Sequence, residues 1–252
     1  MALDIVRIHT KTFRGAPFKF AEVRGTPADH ASWWSFDDEQ ELRDRWWHPA
    51  PGETVLDIGA AFGSYALPAL ALGARVVCFS PADFDTELLQ ANLALNPELA
   101  ARCLIARDGL YSKVGWFDPD HSVFVEDGQV NGDQAPELYG MIGSRDDGGA
   151  NFPKRQLLRV RSLDDYIAER PGIEHIGWMK IDVEGAELEV LKGAERVLRF
   201  ERPKILVENH DFHDAEIGIK VRDYLVGLGV GYVCDGPHKH CSVSHSFFQV
   251  KP

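Results

Sequence analysis

The stretch Val55–Asn96, VLDIGAAFGSYALPALALGARVVCFSPADFDTELLQANLALN, decides the fold. It reads as strand, glycine turn, helix, strand, helix. "TVLDIG", starting at Thr54, is a short buried strand. "GSYALPALAL" is helical, and Gly73 is its glycine stop. "ARVVCFS" is a second strand. "DTELLQANLALN" is amphipathic, with Leu88, Leu89, Leu93 and Leu95 at helical spacing. "ARCLIA" is a third strand. This alternation implies right-handed crossovers and a mostly parallel sheet with helices on both faces, a Rossmann-like α/β fold.

Outward from that stretch, the rhythm breaks between Leu110 and Arg161 and then resumes. "KVGWFDPDHSVFVEDGQVNGD" reads as extended segments joined by DP, DG and NG turns. "APELYGMIGSRDDGGANFP" is loop-like. Loops on rigid α/β scaffolds carry function, so residues 110–161 form a candidate substrate-facing insertion. Downstream, "SLDDYIAER" is a short helix capped by Ser162. "IGWMKIDVEG" and "PKILVENH" are strands. "AELEVLKGAERVL" and "DAEIGIKVRDYLVGLG" are helices. "VGYVCDG" and "VSHSFFQV" form a closing hairpin at one sheet edge. Residues 1–52 are a preamble that packs on the core domain, residues 53–252. "SFDDEQELRDRWW" has a capping-box-like start at Ser35 and Asp38. Trp33, Trp34, Trp46 and Trp47 read as the aromatic face of a docking helix rather than a lid.

Composition narrows the function. The chain has 252 residues and a net charge of -12, from 27 basic against 39 acidic residues. Such a surface repels phosphate backbones and argues against nucleic acid. The densest basic run, "FPKRQLLRVR", reads as a strand with solvated charges. No window reaches the roughly 20 apolar residues of a membrane helix, and no secretory signal is visible, so the expected location is cytoplasmic and no membrane partner is expected. Cys78 and Cys103 sit in apolar strands as small hydrophobes. "CDGPHKHC", with Cys234, His238, His240 and Cys241, matches no common zinc module. Oligomeric state is open, with a homodimer compatible.

"DIGAAFG" places Asp57, Gly59 and Gly63 between a strand and a helix. Glycines let a ligand approach the backbone, and a helix start offers free N–H groups. The spacing is neither GxGxxG nor a P-loop. Three strands end in polar groups: Asp57, then Asp182 with Glu184, then Glu208 with Asn209 and His210. In an open parallel sheet these ends line one crevice. Convergent carboxylates suit a positively charged ligand better than a phosphate. S-adenosylmethionine, with a sulfonium, an ammonium and a ribose diol, meets that demand.

The quoted stretch resembles the cofactor half of class I S-adenosylmethionine-dependent methyltransferases. "VRSLDDYIAERPGIEHIGWMKIDVEGAELEVLKGAERVLRFERPKILVENH" resembles the FkbM-type family, with "KIDVEGAELEVLKGA" the most specific run. The resemblance implies a seven-stranded sheet whose last strand is antiparallel. It also implies O-methylation of a small-molecule acceptor, of sugar or natural-product type. Asp57, Gly59 and Gly63 match the family's cofactor loop, with Ala60, Ser64 and Tyr65 lining it. The family's second strand commonly ends "FEP", where this chain has Phe79-Ser80-Pro81. Ser80 therefore stands in for a ribose-binding glutamate, at an expected loss of about 1–3 kcal/mol of affinity. Ser80→Glu is expected to tighten cofactor binding or leave it unchanged. Asp83 is an open candidate to substitute, while Asp85 reads as a helix-start charge.

Lys180, Asp182 and Glu184 alternate onto one strand face beside the methyl donor. Asp182 and Glu184 are also expected to touch the cofactor. Asp182 positions the acceptor or the sulfonium. His210 is a candidate general base beside Glu208, and Lys180 a candidate partner of Glu184. Catalysis without a metal is expected, although Asp182 and Glu208 offer hard oxygen ligands. Two other functions fit the same fold: a non-catalytic ligand-binding protein, suggested by Ser80, and an N-methyltransferase of a peptide.

Overall fold

The computed structural model describes residues 3–23, 39–118, 123–126, 158–240 and 243–251. Strands β1 (Ile5–Phe13) and β2 (Ala16–Val23) pair antiparallel as a hairpin. Helix α1 (Gln40–Trp46) follows. The alternating core then begins: β3 (Thr54–Ile58), α2 (Ala66–Ala71), β4 (Arg75–Phe79), α3 (Asp83–Ala94), α4 (Pro97–Ala100) and β5 (Cys103–Ala106). Strands β6 (Gly109–Leu110), β7 (Gly115–Asp118), β8 (Val123–Glu126) and β9 (Leu158–Arg161) interrupt it. It resumes with α5 (Leu163–Ala168), β10 (Ile176–Ile181), α6 (Glu187–Lys192), α7 (Glu195–Phe200), β11 (Lys204–Asn209) and α8 (Ile217–Gly227). Strands β12 (Tyr232–His240) and β13 (Val243–Val250) close the chain's described portion.

The main sheet has seven strands in the order β12-β13-β11-β10-β3-β4-β5. Strand β13 runs antiparallel to both neighbours; β11, β10, β3, β4 and β5 are parallel to one another. All five residues of β3 are buried, as a strand covered on both faces demands. Alternation splits the sheet's side chains into two cores. Leu56, Ile58, Met179, Ile181, Ile205 and Val207 face α5 to α8. Val55, Val76, Cys78, Trp178 and Leu206 face α2, α1 and the hairpin. The order reverses between β3 and β10, so the crevice falls there.

The preamble docks through aromatic burial. Trp47 is fully buried, with its ring centroid 5.1 Å from that of Tyr65 and 5.2 Å from that of Trp178. Trp46 stacks on Phe247. Trp33, Trp34, Ser35 and Asp38 lie outside the described residues, and the described helix starts at Gln40, with Glu39 before it.

Two elements differ from the sequence expectation. The helix expected from Gly63 begins only at Ala66, with Pro68 in its first turn, where a missing N–H is tolerated. The single helix expected over "AELEVLKGAERVL" is two, α6 and α7. Gly193 lies so close to the Tyr111 carbonyl that a Cβ would sit 2.1 Å from it. The Asp164 carboxylate then caps α7, accepting from the N–H groups of Arg196 (2.7 Å) and Val197 (3.0 Å).

The described part of residues 110–161 is extended. Its extended segments form a second sheet, β6-β9-β7-β8. The loop-like run and residues 127–157 as a whole lie outside the described residues. Ser162 caps α5 by accepting from the Asp165 N–H at 3.1 Å. Arg161, in the basic run, is paired with Glu169. Among the described residues, no helix is long and apolar enough to cross a membrane.

Candidate active site

The crevice is built where β3, β4 and β10 exchange backbone bonds past their last residues. The N–H groups of Gly59 and Ala60 donate to the Phe79 carbonyl, and Asp182 N–H donates to the Ile58 carbonyl. Gly59 has φ +83, and an added Cβ would sit 1.7 Å from the Asp182 carbonyl oxygen. Only glycine lets the loop lie this close to β10. At Gly63, with φ +95, a Cβ would press on Leu89 at 2.9 Å.

Asp57 stands at this junction and is 2% exposed. Burial lifts its carboxyl to about 7, against the pull of the Lys180 ammonium. Its Oδ2 is buried without a hydrogen-bond partner. Such an oxygen is costly unless a ligand donor reaches it, and a cationic ammonium is the donor it favours. The residues present therefore fit S-adenosylmethionine: a glycine cradle, an orphaned carboxylate oxygen and a surplus of acidic groups. Ala60 and Tyr65 are each 3% exposed, so their side chains face inward. Ser64 is partly exposed on the same loop.

Strand β4 ends at the Ser80 side of the crevice. Ser80 is 2% exposed, and the Thr86 hydroxyl donates to its carbonyl at 2.6 Å and lies 3.4 Å from its Oγ. Pro81 is partly exposed after it. Asp83 is an exposed residue paired with Arg107. Asp85 lies in the first turn of α3, as its reading as a helix-start charge expects, and is partly buried. Burial and the nearby Asp182 carboxylate raise it to about 6.

On the other side, Lys180 is 1% exposed. Its Nζ lies 3.5 Å from Asp182 Oδ2 and 3.5 Å from Glu208 Oε2, and 4.9 Å from the Tyr65 ring centroid. Burial opposes its charge, but Asp182, Glu208, Glu39 and Asp57 hold it well above the ordinary lysine range. Its carboxylate partners are thus Asp182 and Glu208 rather than Glu184. Glu184 leaves the strand line in a turn at φ +52 and lies, like Asp182, 3.6 Å from His210 Nε2. His210 is 1% exposed, with Nδ1 against Glu187 and Nε2 toward Asp182, Glu184 and Glu208. Burial alone would lower its pKa, but the Glu187 hydrogen bond and the carboxylates raise it to about 9.

Three residues of this network were not singled out in the sequence. Glu187 sits inside the most specific run but reads as a helix-surface glutamate. His245 is the register partner of Glu208 across β11 and β13. Its Nε2 lies 2.9 Å from Glu39 Oε1 and 3.3 Å from Glu208 Oε2. Glu39 also accepts from the Tyr65 hydroxyl at 2.5 Å. Its signal was masked by a run of neighbouring acids.

Among the described residues, two trios bring ligand atoms within 4.8 Å of one another: Asp182, Glu208 and His210, and Glu39, Glu208 and His245. The Lys180 ammonium already bridges Asp182 and Glu208, and His245 already bridges Glu39 and Glu208. In "CDGPHKHC", His238 faces Asp235 at 3.0 Å, while Cys241 and the His240 side chain lie outside the described residues.

Comparison with known proteins points to one family. The Methyltransferase FkbM domain family matches residues 57–234. The chain is 31% identical over 183 residues to the 31-O-demethyl-FK506 methyltransferase FkbM of Streptomyces tacrolimicus, covering 66% of this chain and 68% of that protein. It is 30% identical over 199 residues to the AMB antimetabolite synthetase AmbE of Pseudomonas aeruginosa, covering 71% of this chain but only 9% of the synthetase. A crystal structure of methyltransferase FkbM from Methylobacillus flagellatus KT superposes with a TM-score of 0.59 at 19% identity, covering 83% of this chain and 47% of that one. The family match spans both the cofactor loop and the β10–β11 cluster. The chain belongs to the FkbM methyltransferase family and is an S-adenosylmethionine-dependent methyltransferase.

Proposed function

We propose that this enzyme methylates a hydroxyl group of a small molecule, of natural-product or sugar type. The observation that carries the reading is the cluster at the ends of β10 and β11. There a histidine nitrogen faces the crevice amid Asp182, Glu184 and Glu208. A hydroxyl acceptor benefits from such a base as it attacks the methyl group. The bound cofactor supplies an activated methyl on a sulfonium. Asp57 would hold the cofactor's cationic end, and the Lys180 ammonium fixes Asp182 and Glu208 in place. In its neutral form, which gains population as pH rises toward about 9, His210 takes the acceptor's proton at Nε2. Holding acceptor and donor in line supplies much of the rate.

The FK506 methyltransferase acts, by its name, on an oxygen, and the antimetabolite synthetase supports the natural-product reading. The free thiols Cys78, Cys103 and Cys234 support a reducing, cytoplasmic setting. The acidic surface supports a small-molecule acceptor over nucleic acid. The test is incubation with S-adenosylmethionine and a panel of sugars, macrolides and peptides, read by mass spectrometry. A methyl gained on a hydroxyl supports the reading. A methyl gained only on nitrogen favours peptide N-methylation. Cofactor binding with no transfer to any acceptor favours a non-catalytic binder.

A further inference from the structure

Glu187 is wholly buried and is the first residue of α6. Its Oε1 accepts from the Gly185 N–H at 2.9 Å and meets His210 Nδ1. The turn Glu184–Gly185, with φ of +52 and +94, carries the chain from β10 into α6 and sets this carboxylate behind the imidazole. A carboxylate fixed by a backbone amide is an acceptor and cannot donate to a ring nitrogen. The nitrogen it meets must therefore carry the proton. The opposite nitrogen, Nε2, looks into the crevice.

We propose that Glu187 is the positioning residue of His210: it keeps a proton on Nδ1 in both charged and neutral imidazole, so that Nε2 alone gains and loses the exchanging proton. This rests on the hydroxyl-methylation reading for its use in catalysis, but not for its geometry. In the step it serves, the acceptor oxygen bonds to the methyl carbon. The carbon–sulfur bond breaks, and its electron pair leaves with the neutral thioether. The hydroxyl proton moves to Nε2, and the resulting imidazolium faces the Glu187 carboxylate.

The groups around the ring come from every adjoining element. Asp182 comes from the end of β10, Glu184 from the turn, Glu187 from α6 and Glu208 from β11. Phe212 and His213 come from the turn after β11, with ring centroids 5.4 and 6.4 Å away. Among the described residues only Glu187 touches Nδ1, so its removal should change which nitrogen is protonated.

The experiment is nitrogen NMR of histidine-labelled full-length enzyme, with S-adenosylhomocysteine bound, titrated from acid to alkaline pH. The wild type is expected to keep Nδ1 protonated throughout, with Nε2 titrating well above an ordinary imidazole. In Glu187→Gln the midpoint should fall at least tenfold in proton affinity, and the neutral ring should shift toward the Nε2–H form. Glu187→Asp should restore part of the wild-type pattern. A wild-type neutral ring protonated on Nε2 would overturn the proposal, and that arm needs no variant to fold. So would a Glu187→Gln titration identical to wild type. Failure to methylate any hydroxyl would sink the proposed function while leaving the NMR result to stand by itself.

Discussion

At the scale of single residues, the cofactor crevice is governed by carboxylates that burial holds near neutral. Asp57 at about 7 is the clearest case. Removing it should weaken cofactor binding without harming the fold, because its ionisation opposes burial. Asp85 bears on the ribose side. Ser80 is buried against Thr86 and Asp83 pairs with Arg107 at the surface, so Asp85, partly buried in the first turn of α3, is the carboxylate to test. Asp85→Asn should weaken S-adenosylmethionine binding by roughly tenfold, the scale of one charged hydrogen bond. Calorimetry on the variant checks this, and an unchanged affinity would return the ribose to Ser80 alone. The sequence showed the missing glutamate but not its replacement. Which of two acids in one helical turn faces a crevice depends on how the helix is rotated, and the Arg107 pairing is visible only in three dimensions.

At the scale of elements, the glycine loop and the β10 turn are one unit. Gly59→Ala would drive a methyl into the Asp182 carbonyl, with the backbone already at φ +83. The expected result is a loss of several kcal/mol, roughly 3 or more, or failure to fold. Gly172→Ala meets nothing within 4 Å and should be nearly neutral. Thermal melts of the pair test whether the close approach, and not glycine as such, sets the junction. The strands and long helices were legible because buried parallel strands and amphipathic helices leave clear apolar patterns. The break between α6 and α7 was not, since it follows from Gly193 meeting Tyr111, 82 positions earlier in the chain by simple subtraction. The hairpin β1–β2 was hidden for a related reason. Its burial alternates only over part of its length, because Phe13, Phe18 and Phe20 pack on the main domain while Ile5, Val6 and Ile8 stay exposed. His245 and Glu39 escaped notice because their meeting joins residues from opposite ends of the chain.

At the scale of the whole molecule, the buried charges make stability depend on pH. His210 rises from 6.5 to about 9 on folding, so its contribution is full below 6.5 and is lost as pH rises through about 9. Asp57 rises from 3.8 to about 7, so the folded state is favoured below 3.8 and that contribution is lost as pH rises through about 7. The signs agree. The cofactor-free protein should lose on the order of 2–3 kcal/mol of stability between pH 6 and 9.5 from His210 alone. That corresponds to a melting temperature lower by roughly 5–10 °C for a chain of this size. A flat melting curve over that range would contradict the charge assignment. Cationic cofactor should offset part of the loss by giving ionised Asp57 a partner. The most direct test of the central claim, that this crevice holds S-adenosylmethionine through Asp57, is calorimetric titration of wild type and Asp57→Asn at pH 8. The account predicts one cofactor per chain in the wild type and roughly tenfold or greater weakening in the variant. Equal affinity in both proteins, or no binding to the wild type at millimolar cofactor, would contradict it.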